Sequence, residues 1–267
     1  MQKRRVGLFF VVCALGLLGA VPLRVILILY DIDPATGFYT GGSGLAMAVN
    51  VLLAAVSLFL LTPMVIRRFQ GGVPRLPATP AHGVLAALLA AAMAAEIVYQ
   101  FRLVVIGRTA GNLFIAMAAL PAAVFFIVLA GAAFGGDLRP LPVLALFPPL
   151  WAIVHLAVSF MHYTTIASVS EYMYDMMKMI FVMIFLYYYA RCAGRTPNRK
   201  EAAGMLAFGL PAVLLTGVST LPRYIAWCMG QHRVFLPVPE DVLYLLLAIY
   251  IVYAIIRLKN APAEPET

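Results

Sequence analysis

Charge is what this chain has least of: Asp, Glu, Lys and Arg together make up 11% of its residues. A soluble globular domain carries about 25%, so a water-facing surface of ordinary extent is excluded. Long polar stretches are missing too. The widest interval between apolar runs is about 16 residues, well below the size of an independent domain. Cysteine is scarce, with three residues in 267. Cys13 falls in an apolar run, Cys192 and Cys228 in the intervals between runs. No Cys-x-x-Cys spacing occurs, which excludes a disulfide framework and a cysteine-built zinc site. The four histidines form neither His-x-x-x-His nor Glu-x-x-His, and no serine stands in a Gly-rich elbow. No motif of metal-dependent or nucleophilic catalysis is readable, and neither a metal nor another cofactor is expected.

What fills the chain is apolar residue, 64% of the total, against about 45–50% in a globular domain. Apolar runs of around 20 residues recur from end to end, the length a helix needs to cross a bilayer. The fold class that follows is all-α: a polytopic transmembrane helix bundle of about eight spans, forming one domain over residues 1–258. The spans are expected at about 6–30, 45–66, 83–105, 113–134, 141–163, 172–190, 204–224 and 241–258, with a disordered cytoplasmic tail at 259–267. Lys3, Arg4 and Arg5 ahead of an apolar run have the shape of a signal peptide. The run continues to Tyr30, however, long enough to span, and an uncleaved first helix is the expectation. Pro148 and Pro149 should break the inner third of the fifth span. The short connection from Gly107 to Asn112 makes spans three and four antiparallel neighbours.

The net charge of +8 does not indicate nucleic acid, because the basic residues are spread over alternate loops instead of gathered in a patch. With both termini cytoplasmic, 13 of the 19 Lys and Arg residues fall on cytoplasmic segments, as the positive-inside rule requires. That orientation and the composition place the chain in a plasma (inner) membrane as a multi-pass protein, with the lipid bilayer as its first partner.

Ionisable residues inside spans are costly and point to function. Three polar stripes recur at helical spacing. His155, Ser159 and His162 stand at i, i+4 and i+7 in span five. Glu171, Asp175 and Lys178 do the same in span six. Thr216 and Arg223 bound a third stripe in span seven, with Ser219 and Thr220 between them. Arg24 in span one with Asp31 seven residues on, just past its end, and Glu96 and Arg102 in span three, complete the set. In the expected orientation all lie in the outer half of the membrane, and the inner halves read as bare Leu, Ala, Val and Phe. The simplest arrangement is an outward-facing polar cavity walled by spans one, three, five, six and seven. Within it Lys178 should meet a carboxylate, Asp175 or Glu96. Ser43, Asn50 and Ser57 make a thin seam in span two that suits a helix–helix hydrogen bond.

Residues 23–31 (LRVILILYD), followed by Thr36, Gly37 and Phe38, resemble the first span and loop of a set of uncharacterised bacterial polytopic inner-membrane proteins. Residues 186–191 (LYYYAR) ahead of a Gly-Arg loop are similar to theirs as well. The resemblance implies a bacterial inner-membrane home and brings no activity with it.

Three functions compete. The first is binding and transport of a small-molecule solute through the outward-facing cavity. The second is a non-catalytic sensor or subunit of a membrane complex, which would have a membrane-protein partner. The third is a membrane-embedded enzyme acting on a lipid-linked substrate, which no motif supports. The orientation is open to direct test. A reporter fused after Lys200 should read cytoplasmic and one inserted between Asp31 and Gly44 external; the reverse at either position would overturn the outward placement of the stripes.

Overall fold

The computed structural model describes residues 2–32, 39, 44–65, 79–107, 110–136, 142–163, 170–193, 201–230 and 238–260, with the side chains of 2–5, 65, 163, 170–171 and 259–260 outside that set. Among them are eight helices long and apolar enough to cross a membrane. They are α1 (Gln2–Ile26), α2 (Gly44–Val65), α3 (Pro80–Val105), α4 (Gly111–Phe134), α5 (Phe147–Tyr163), α6 (Ser170–Ala193), α7 (Glu201–Cys228) and α8 (Pro239–Asn260). Cys192 and Cys228, expected between spans, are helical residues of α6 and α7. Of the interhelical loops expected at 191–203 and 228–240, residues 194–200 and 231–237 lie outside the described residues, as do residues 261–267 of the tail.

Local sequence explains the ends. Thr79 caps α3 by accepting a hydrogen bond from the His82 N–H at 3.4 Å, with Pro80 in the first helical position. At the other end Gly107 adopts φ +78°, the left-handed conformation that lets the chain leave a helix sharply. Span five begins with a 3-10 turn, Leu144–Leu146, and becomes α-helical at Phe147. Pro148 and Pro149 thus sit in the first turn, where a missing N–H leaves no helical bond unmade. Helix α1 passes through Pro22 and ends in a π-helical turn, Leu27–Asp31.

Six helices close into a ring: α3 packs on α4, α4 on α5, α5 on α6, α6 on α7, α7 on α8, and α8 back on α3. Helices α1 and α2 lie outside it, against α7 and each other. Helix α7 is therefore covered on every side, with 83% of its membrane-length stretch buried against 22% for α1. Its sequence permits this. Its polar residues Thr216, Ser219, Thr220 and Arg223 are themselves buried, and small residues let neighbours approach closely. A Cβ on Gly209 would meet Ile255 at 2.8 Å, Ile251 at 2.9 Å and Phe185 at 3.0 Å, where α8 and α6 press on α7. The outer faces are apolar: Leu8, Val11, Leu15 and Leu18 form one exposed stripe on α1, and Phe114, Met117, Leu120, Val124 and Ile127 another on α4. Such surfaces are compatible with lipid.

Close packing at α7 sets a stability expectation. Gly209→Leu should destabilise the purified protein by about 1–3 kcal/mol through overpacking. Gly131→Ala, on α4 with nothing within 4 Å of the added carbon, should leave thermal unfolding unchanged or slightly raised. Equal behaviour of the two would argue against an enclosed α7.

Candidate functional site

One end of the ring holds the charges. Lys178 on α6 donates to Asp175 Oδ1 at 3.0 Å, one turn earlier on the same helix. The other oxygen of Asp175 accepts from Arg223 Nη2 of α7 at 2.6 Å. Arg223 Nη1 reaches Asp241 Oδ1 of α8 at 3.3 Å. Asp241 in turn accepts the Val238 backbone N–H at 3.1 Å through its second oxygen. That last bond is half of a capping box, with Pro239 in the first helical position and Asp241 in the third. All four side chains are buried, Lys178 to 1% exposure. Its ammonium also lies 4.2 Å from the centre of the Tyr244 ring, a favourable contact where water is excluded. Two carboxylates face two cations, so the tetrad is neutral and each charge has a partner.

Beside it stands a second group from α3, α5 and α8. Glu96, His155 and Glu240 each bring a ligand-type atom within 4.8 Å of the others. His155 Nε2 is 3.6 Å from Glu240 Oε1, and its Nδ1 is 3.5 Å from the Tyr244 hydroxyl. Glu96, fully buried, accepts from Gln100 Nε2 at 2.6 Å through one oxygen. Its other oxygen and Gln100 Oε1 have no hydrogen-bond partner among the described residues. Glu96 lies about 14 Å along the axis from the end of α3, at 1.5 Å per residue. His155 is at the middle of α5, and the first turn of α8 is level with it. Helix α8 thus starts inside the bundle, which is why its first turn carries its own cap.

The residues marked out in the sequence divide into groups. Asp175, Lys178 and Arg223 meet, and the carboxylate expected beside Lys178 is Asp175. Glu96 and His155 join through Glu240. Arg24 is buried but belongs elsewhere: its Nη1 donates to Tyr39 Oη at 2.6 Å, and its guanidinium lies 4.4 Å from the Tyr174 ring centre. Tyr174 donates to Asn50 of the α2 seam, so this cluster ties α1 and α2 to α6. Asp31 is half-buried at the end of the π turn. Thr216, Ser219 and Thr220 are buried, and Ser219 bonds to the Thr216 carbonyl at 3.3 Å and to Thr220 at 3.4 Å, within α7 itself. Ser159 is buried one turn beyond His155. His162 and Arg102 are exposed, away from the ring interior. The Glu171 side chain lies outside the described residues.

Two sets of residues went unmarked. Glu240, Asp241 and Tyr244 of α8 complete the centre, although a last span expected at 241–258 puts Glu240 just outside it and Asp241 at its first residue, on the rim. Their i, i+1, i+4 spacing at a helix start was the available signal. The other end of the ring corrects the expectation of bare apolar inner halves. There buried His82 meets the Tyr250 hydroxyl at 2.7 Å, Tyr250 bonds to Tyr189, and Thr79 bonds to Tyr253. Between the two ends lie packed rings: Trp151 and Tyr244 tilted at 6.1 Å, then Phe126 edge-on to Tyr250 of the far cluster at 6.1 Å and Phe125 edge-on to its Tyr189 at 6.4 Å.

No family model, no curated protein and no solved structure matches this chain.

The tetrad makes a double-mutant expectation sharp. Asp175→Asn leaves one cation in excess and Lys178→Met one carboxylate in excess, while the double variant retains the neutral Arg223–Asp241 pair. Each single substitution should cost ~3–5 kcal/mol because a buried charge loses its partner. The double should recover most of that loss in thermal unfolding of the detergent-solubilised protein. Two fully stable single variants would show that water, not protein, surrounds these charges.

Proposed function

We propose that this protein binds a small polar solute at the charged end of its helix ring and moves it across a bacterial inner membrane, in which both termini face the cytoplasm and the charged end faces out. The observation that carries this reading is the convergence of five helices, α3 and α5 to α8, on seven ionisable side chains in the ring interior. Joining helices takes far less: one buried hydrogen-bonded polar pair pins a helix contact. Charges kept at such a depth line solute and ion pathways as a rule. Two cations and two carboxylates in alternation suit a solute that itself carries both signs, since each of its ends can replace one member of a pair. The aromatic layer beneath, Trp151 and Tyr244 followed by Phe125 and Phe126, which pack on Tyr189 and Tyr250 of the His82 cluster, supports a closed floor below this end.

A non-catalytic subunit of a membrane complex is the second reading. Its support is the mutual satisfaction of the tetrad, whose ions need no solute to balance them.

Uptake separates the two. Proteoliposomes should accumulate at least one radiolabelled zwitterion from a panel of zwitterionic, anionic and cationic solutes, above protein-free vesicles. The Asp175→Asn/Lys178→Met double variant, still charge-balanced, should lose at least tenfold of that uptake. Full uptake by the double variant, or none by the wild type across the panel, would remove the transport reading.

A further inference from the structure

We infer that Glu96, His155 and Glu240 form a binding site for one first-row divalent cation of the zinc type. The three residues lie on three helices and are far apart in sequence, so no spacing motif reports them. The inference goes beyond solute transport and holds whether or not anything is carried.

Charge is the first argument. The neighbouring Lys178 and Arg223 are engaged by Asp175 and Asp241. Glu96 and Glu240 form no ion pair with lysine or arginine among the described residues, and with a neutral imidazole and both carboxylates ionised the group would carry two uncompensated negative charges. Two buried carboxylates this close repel each other unless a cation stands between them. The second argument is the unsatisfied oxygen of Glu96. A fully buried carboxylate oxygen without a donor is costly, and here it belongs to the cluster that would hold the ion.

Geometry and donor type narrow the ion. Bonds of about 2.0–2.1 Å to nitrogen and oxygen in a tetrahedron put the ligand atoms roughly 3.4 Å apart. His155 Nε2 and Glu240 Oε1 are 3.6 Å apart, and the whole set lies within 4.8 Å. Side-chain rotation of about 1 Å closes the difference. An imidazole with two carboxylates favours zinc and its first-row neighbours, whereas calcium and magnesium want six or more oxygens. The supporting contacts are those that metal ligands normally have. Gln100 holds one oxygen of Glu96 at 2.6 Å. With Nε2 on the metal, His155 donates its Nδ1–H towards Tyr244 Oη, 3.5 Å away. Three protein ligands leave a coordination position open, and Glu240, with its side chain 21% exposed, is the side from which an ion enters.

The test uses full-length protein with its affinity tag removed, stripped with chelator and dialysed against zinc chloride alone. About one zinc per chain should be retained, with a raised unfolding temperature, and calcium or magnesium should do neither. Glu96→Gln and Glu240→Gln should each weaken zinc binding at least tenfold. Because Glu240 is partly exposed, its variant serves as the folded control if Glu96→Gln fails to fold. Wild-type protein without zinc, accompanied by a Glu96→Gln variant more stable than wild type, would show that Glu96 holds a proton instead and would overturn the site. Undiminished zinc in the Glu240→Gln variant would overturn it equally.

Discussion

The Asp175 carboxylate is the point on which the ring depends. In a medium of low dielectric an ion without a partner costs several kcal/mol, and this one is bound at both oxygens. One oxygen fixes Lys178 within α6; the other fixes Arg223 of α7, which in turn holds Asp241 of α8. Sliding any one of the three helices by one turn, about 5.4 Å, would separate at least one of the two interhelical pairs, Asp175–Arg223 or Arg223–Asp241. Apolar contacts between Leu, Ala and Val offer no comparable selectivity, because one turn along such a helix looks much like the next. The ion chain therefore sets the register of α6, α7 and α8, and the small residues of α7 set how closely they approach.

The far end solves the same problem with neutral groups. His82, Tyr189 and Tyr250 share a hydrogen-bonded cluster that joins α3, α6 and α8, and Arg191 binds Glu201 at 2.9 Å across the α6–α7 connection. Helices fastened at both ends, with rings packed edge-on and tilted between, leave little freedom for α8 to tilt. The charged end differs in being over-provided. It contains the tetrad that register requires and, next to it, a histidine and two carboxylates that register does not require.

Much of this was legible in one dimension, and what was not has physical causes. Apolar runs reveal spans because the bilayer demands them, which is why eight were countable. Asp175 and Lys178 were readable as a pair because one helix carries both, three residues apart. Glu96 and His155 were conspicuous because each is an ionisable residue well inside an apolar run. Glu240 and Asp241 were misplaced on the rim because a span's first residues normally lie there, and nothing in the sequence reveals that α8 starts level with mid-α5. His162 shares a face with buried His155 and Ser159 but is exposed near the end of α5, and Arg102 is exposed near the end of α3; periodicity gives a stripe without saying how far along the helix its burial extends. His82, Tyr189 and Tyr250 escaped for a different reason: tyrosine counts as apolar by area, and its hydroxyl becomes visible only when a partner is opposite it.

The two centres share a single helix turn. Glu240 and Asp241 are adjacent, so their side chains leave α8 about 100° apart, one towards His155 and the other towards Arg223. Both stand in the first turn, where the helix dipole favours negative charge, and Asp241 also caps that turn. A carboxylate that caps a helix cannot move without fraying it, and the backbone between neighbours is rigid. Whatever occupies the corner at Glu240 therefore bears on the same turn that Arg223 holds in place. The neutral tetrad fixes the start of α8 inside the bundle, and that fixed start is what presents Glu240 to Glu96 and His155.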